Sequence, residues 1–179
     1  NHGKRISDRQ KVGYYDSDTW AEMVEYIDLV QQELIEKENV ETVMMIGHSM
    51  GSFLLRHYLI DYGDRVEKAI IIGTADTDVK LSKVGLQAAK LIGAISPNKP
   101  SDFLNHLSLG KNNNAFKPNR TKVDWLTRDQ KIVDWYVNSP LCGYSYTPKF
   151  YEEIVKGLLY IIKVDAIEQT PRIPLLFIA

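Results

Sequence analysis

The sequence predicts an α/β chain: a parallel sheet with helical crossovers, lacking strands at both ends of its core and interrupted by a helical insertion. Three observations lead there. Two short apolar runs, residues 40–46 and 66–73, alternate with two helical patterns. Helix, strand, helix, strand with short connections is the signature of a parallel sheet. From about Asp76 to Asp165 no strand pattern occurs but several helical ones do. A final apolar run, residues 174–179, reads as a strand again.

Taken in order, Asn1-His2-Gly3-Lys4 has the composition of a loop after an earlier strand. No initiator methionine precedes it, and the last strand stops without a turn. The chain therefore reads as an internal piece of a larger protein. Thr19-Trp20-Ala21-Glu22 has the form of a capping box, with Thr19 as the expected N-cap. Trp20, Val24, Ile27, Gln31 and Leu34 then recur at helical spacing, with Glu25, Asp28, Glu33, Glu36 and Lys37 toward solvent. Val40-Glu41-Thr42-Val43-Met44-Met45-Ile46 reads as a buried strand. Residues 52–60 read as a helix closed by Gly63. Residues 66–73 form the second strand.

Beyond it, residues 81–95, 101–109, 127–137 (from a Thr-x-x-Gln box) and 148–164 are helical, joined by linkers rich in Pro, Asn and Gly. The expected organisation is a core part over 1–75, a helical cap over 76–165 and a return to the core over 166–179. An insertion between two strands, at the end of the sheet where the next motif lies, is positioned to act as a lid.

That motif is Gly47-His48-Ser49-Met50-Gly51, set between the first strand and its helix. A strand, G-x-S-x-G, then a helix is the context of a nucleophile elbow. The turn is sharp enough that side chains two residues either side of the serine collide, which predicts glycine at both Gly47 and Gly51. Ser49 is lifted above the sheet edge at a helix N-terminus, where the Met50 backbone N–H and the helix dipole can stabilise an oxyanion.

Composition narrows the classes. Of 179 residues, 44% are hydrophobic, ample for a core. A formal net charge of −1 gives no reason to expect nucleic acid as a partner. The single cysteine, Cys142, excludes an internal disulfide and fits a reducing, cytoplasmic setting. No apolar run is long enough to span a membrane. No cofactor is expected: nothing has metal-ligand spacing, and no Gly-rich phosphate loop occurs.

The elbow, His2-Gly3, Gly13-Tyr14-Tyr15, Asp124-Trp125-Leu126-Thr127-Arg128-Asp129 and Ser139-Pro140-Leu141-Cys142-Gly143-Tyr144 together resemble α/β-hydrolases of the bacterial lysophospholipase and monoacylglycerol-lipase-like group, also labelled serine aminopeptidase S33 or hydrolase 4. The resemblance covers essentially the whole chain. It implies an eight-stranded hydrolase core, a helical cap and cleavage of esters of hydrophobic acyl chains. His2-Gly3 matches the tail of the group's Arg-Gly-His-Gly loop, except that asparagine precedes the histidine here.

In such hydrolases the triad follows the chain order Ser, Asp or Glu, His. The resemblance places the acid after the strand ending at Ala179 and the histidine later still, and puts the second oxyanion donor before Asn1. Local substitutes are poor. His57 lies eight residues past Ser49 on one helix, about 12 Å along its axis. The elbow points His48 away from the serine, His2 reads as architectural, and His106 sits in the cap. Asp76 and Asp78 follow the second strand and are alternative acids, though both equally read as loop or N-cap residues. Trp125, Trp135, Tyr144 and Tyr146 either shape an acyl pocket or pack the cap.

The expected function is a serine hydrolase of lipid-like esters, acting through an acyl-enzyme on Ser49. The alternatives are an aminopeptidase, thioesterase or acyltransferase on the same fold, or a catalytically incomplete chain that binds a hydrophobic ligand. The oligomeric state is left open.

Overall fold

The computed structural model describes residues 12–178. They form two compact units. One comprises Ser17–Gln87 and the segment from Glu152 onward; the other comprises Ala88–Tyr151 and the segment ending at Asp16.

The first unit carries a three-stranded parallel sheet in the order β1 (Val43–His48), β2 (Val66–Ile72), β3 (Leu175–Ile178). Ile46 pairs with Ile70 and His48 with Ile72; Ile70 in turn pairs with Leu176 and Ile72 with Ile178. Helix α1 (Thr19–Glu38) precedes β1, and α2 (Met50–Tyr62) joins β1 to β2. The core is built where these meet: Trp20 and Val24 of α1, Leu54, Leu55, Tyr58 and Leu59 of α2, and Val66, Ala69 and Ile71 of β2 are all buried. Ala69 and Ile71, two residues apart on β2, are both buried, as the pleat requires.

Several expectations shift in detail. The N-cap of α1 is Asp18 rather than Thr19, and its side chain makes no capping bond. Thr19 is buried as the first helical residue and donates its hydroxyl to the Ser17 carbonyl at 3.2 Å. Gly63 does not close α2 in the left-handed conformation: its φ is −70° and it enters a short 3-10 turn, Gly63–Arg65. Glycine is needed there for another reason, because a Cβ would lie 2.7 Å from the Pro171 ring.

The strand expected to be buried is only half so. Gly47 is buried and Met45 packs on the core, while Met44 and Ile46 on the opposite face are each 68% exposed. All four residues of β3 are exposed as well. Among the described residues, nothing covers these faces.

Between β2 and β3 the described chain contains helices only: α3 (Val79–Ile95), α4 (Asp102–Leu109), α5 (Gln130–Asn138), α6 (Pro148–Tyr160) and α7 (Val164–Ile167), with 3-10 turns at Asn112–Phe116 and Asp124–Leu126. The Ser101 hydroxyl caps α4 by accepting the Leu104 N–H at 3.3 Å. Helix α5 starts three residues later than the Thr-x-x-Gln pattern suggests. Its N-cap is Asp129, which accepts from the Lys131 N–H at 2.9 Å. A carboxylate reaches the second N–H of the helix directly, so it displaces threonine as the cap.

Candidate active site

Strand β1 ends at His48 and α2 begins at Met50, so Ser49 is the whole connection. Its backbone sits at φ 53°, ψ −122°, a conformation that an L-residue adopts at a cost of about 1–3 kcal/mol. Three hydrogen bonds hold it there. The Ser49 N–H donates to the carbonyl of Ile72, the last residue of β2, at 3.0 Å. The Ser49 carbonyl accepts from both the N–H of Ser52 at 2.9 Å and its hydroxyl at 2.6 Å. Ser52 is fully buried, so its hydroxyl has no water as an alternative partner. The strained serine is thus fastened on both sides, and its own side chain is left exposed at the C-terminal edge of the sheet.

Glycine at 47 is a geometric necessity. A Cβ there would stand 2.5 Å from the Gly51 carbonyl oxygen and 2.9 Å from Leu55 Cβ. At Gly51 a Cβ meets no described atom within 4 Å, so the expected collision is found on the strand side of the turn only. The Met50 N–H is the first of the 13-residue α2 and has no acceptor within the helix.

Ser52→Ala removes one buried hydrogen bond and leaves the other. The expected loss is about 1 kcal/mol of stability, measured by urea denaturation. An unchanged midpoint would mean that the hydroxyl does not brace the turn.

The remaining candidates fall elsewhere. Asp78 accepts the Leu81 N–H at 3.0 Å and so starts α3, and Asp76 accepts the Thr77 N–H at 2.8 Å. Neither is hydrogen-bonded to a described histidine. Asp76 faces Arg56 instead. Burial lowers the Arg56 pKa and Asp76 raises it, burial having the larger effect. Arg56 donates to the Thr74 hydroxyl at 3.2 Å and the Ala75 carbonyl at 3.3 Å, tying the exit of β2 to the elbow helix. Sequence reasoning missed both Ser52 and Arg56. Their signals are spacing alone: one turn and two turns beyond Ser49 on the same helix.

A groove of about 520 Å³ opens beside Arg56, Thr74 and Asp76, floored by Ile71, Leu175 and Phe177. Ser49 does not line it.

None of the described histidines is hydrogen-bonded to Ser49. His48 lies exposed near Gly73, His57 is committed to Trp20 and Asp61, and His106 packs against Gly110 of its own helix end. His2 falls outside the described residues.

In the second unit, Tyr146 stacks on Phe150 with ring centres 3.8 Å apart, and Tyr144 meets it edge-on at 5.1 Å. Burial pushes the hydroxyls of Tyr146 and Tyr151 up to about 12. Trp135 is 65% exposed. No group of His, Cys, Asp or Glu that could hold a metal ion occurs among the described residues, and none of their helices is long and apolar enough to cross a membrane.

A parallel sheet whose strand turns through a strained serine into a helix defines an α/β-hydrolase core. The chain belongs to the Hydrolase_4 family, serine aminopeptidase S33, whose model matches residues 2–179. Its fold is similar to that of a highly thermostable carboxyl esterase from Bacillus coagulans, solved in complex with glycerol. That match has a TM-score of 0.83 at 24% identity and covers 97% of this chain but 57% of the esterase. A lipase in its open form matches with a TM-score of 0.72 at 16% identity over 93% of this chain and 55% of the lipase. A monoacylglycerol lipase from Paleococcus ferrophilus matches at 0.57 and 18% identity, over 88% of this chain and 52% of the lipase. The chain thus spans a little over half the length of these structures. No curated protein matches the sequence.

Proposed function

We propose that the protein is a serine ester hydrolase, acting through an acyl-enzyme on Ser49 and selecting esters of hydrophobic acyl chains. The observation that carries the reading is the Ser49 backbone, at φ 53° in the one-residue link between β1 and α2. Strain of this kind persists only where surrounding bonds over-determine it, and here β2 and Ser52 do so.

In this reading the Ser49 oxygen attacks the ester carbonyl and its proton passes to a histidine from outside the described residues. The carbonyl oxygen becomes an oxyanion that the Met50 N–H holds, aided by the dipole of α2. The alcohol leaves as the histidine returns the proton. Water, activated by the same base, then attacks the acyl-enzyme and frees the carboxylic acid. Neither Asp76 nor Asp78 is assigned as the triad acid, since their carboxylates bond to the start of α3 and the segment before it.

The apolar helical insertion and the esterase and lipases of the same fold support a lipid-like ester over a peptide. The test is hydrolysis by the full-length protein of p-nitrophenyl esters from acetate to palmitate. The expected kcat/KM rises with chain length, by roughly threefold or more per two methylenes through the medium-chain range. A strict preference for acetate would exclude the lipid-like class, and turnover of aminoacyl amides alone would exclude an esterase.

A further inference from the structure

Outside the elbow, the described residues of the first unit contain one directional hydrogen-bond chain through a histidine. The Trp20 indole N–H donates to His57 Nδ1 at 2.7 Å. His57 Nε2 faces Asp61 Oδ2 at 3.0 Å, and the Tyr160 hydroxyl donates to Asp61 Oδ1 at 2.6 Å. An indole only donates, so His57 Nδ1 carries its lone pair and the ring proton sits on Nε2, donated to the carboxylate. The geometry admits one neutral tautomer.

We propose that His57 is an acid-released latch: as a neutral imidazole it holds Trp20 of α1 and, through Asp61, Tyr160 of α6 against the nucleophile helix α2, and protonation frees the Trp20 end. This goes beyond the acyl-enzyme reading and stands without it.

When the ring gains a proton, its two contacts compete. A proton on Nδ1 sets two N–H donors against each other across 2.7 Å. The indole has nowhere else to turn: Trp20 is 3% exposed, and Gly157 of α6 is pressed so close that a Cβ there would lie 2.2 Å from the Trp20 ring. Against this stands the ion pair that an imidazolium makes with Asp61. The His57 side chain is 13% exposed and the Asp61 side chain 33%, so burial penalises the cation while water screens the carboxylate.

The groups facing His57 are few. From α1 comes the uncharged Trp20 indole, and from α2 the Asp61 carboxylate. From α6 comes the Tyr160 ring, stacked with centres 4.4 Å apart, its hydroxyl on the same carboxylate. Lys163 lies over the Tyr160 ring at 5.6 Å. Burial lowers the His57 pKa more than Asp61 raises it. A folded value below the unfolded one, about 6.5, gives stability that is complete above 6.5 and is lost as pH falls through the folded value.

The test uses the full-length protein and reads the ring itself. Long-range ¹H–¹⁵N spectra of His57 at pH 7.5 are expected to show the Nε2–H tautomer, with titration below pH 6.5. Exchange of the Trp20 indole proton is compared with that in His57→Gln, which keeps an acceptor but cannot titrate. The two should agree within about twofold at pH 7.5 and differ by about tenfold or more at pH 5, the native chain exchanging faster. Trp20→Phe should raise the His57 pKa. An Nδ1–H tautomer, titration at or above 6.5, or equal indole exchange at pH 5 would each overturn the latch. The native-chain spectra decide even if a variant fails to fold.

Discussion

Ser49→Ala in the full-length protein is expected to reduce ester hydrolysis by a factor of order 10⁶, leaving the fold intact. In serine hydrolases, loss of the nucleophile alone removes nearly everything that the whole triad contributes. The structure adds a control. Because Ser49 sits at φ 53°, where glycine is at ease, Ser49→Gly should raise stability by about 1 kcal/mol while abolishing turnover. Opposite movements of stability and activity mark a residue whose strain serves chemistry. Retained activity in either variant would remove Ser49 from the mechanism, and a fall in stability in Ser49→Gly would remove the strain argument.

Gly47→Ala is the second large effect, on folding rather than chemistry. Its Cβ would stand 2.5 Å from the Gly51 carbonyl oxygen and 2.9 Å from the Gly51 carbonyl carbon. Both are backbone atoms of Gly51, fixed in the first turn of α2, so there is no side-chain end that can swing aside. Gly47 is also paired with Ile71 in the sheet, which prevents β1 from drifting away. The expected destabilisation is about 3 kcal/mol, a large share of the 5–15 kcal/mol typical of a domain. Urea denaturation measures it. A midpoint equal to that of the native chain, with the same slope, would show that the turn relaxes without cost.

The alternation of helices and strands was legible because each carries its own period. Trp20 and Val24 face the core as their spacing requires, and β2 buries Val66, Ala69 and Ile71. Chain ends of helices were less so. Thr19 and Thr127 look like caps, yet neighbouring aspartates occupy the N-cap positions, because cap choice depends on backbone geometry that sequence does not carry. Gly63 reads as a left-handed stop, but glycine stands there to admit Pro171, a residue more than a hundred positions away. The exposed faces of Met44, Ile46 and β3 escape local reading for a similar reason: burial depends on what lies opposite, not on the strand.

At the site, the sharp turn at Ser49 and the need for glycine at Gly47 were legible in Gly-x-Ser-x-Gly. A Cβ at Gly51 meets no described atom within 4 Å, so that part of the reading was not. The bracing of the turn was not legible either. Ser52 and Arg56 act through contacts with Ser49 and with the exit of β2, and a serine or arginine within a helix gives no sign of what it meets. His57 and Asp61 are the clearest case. Read along the chain, they are a polar pair four residues apart near the end of a helix. In the fold Asp61 joins α2 to α6 through Tyr160.

Covalent labelling reads out whether Ser49 is the nucleophile of an ester hydrolase. The full-length protein is treated with a fluorophosphonate, its intact mass measured and the adduct mapped by proteolysis. One adduct per chain is expected, on the peptide containing Ser49, absent in Ser49→Ala. An active enzyme that takes up no adduct, or carries it on another residue, would mean that Ser49 is not the nucleophile.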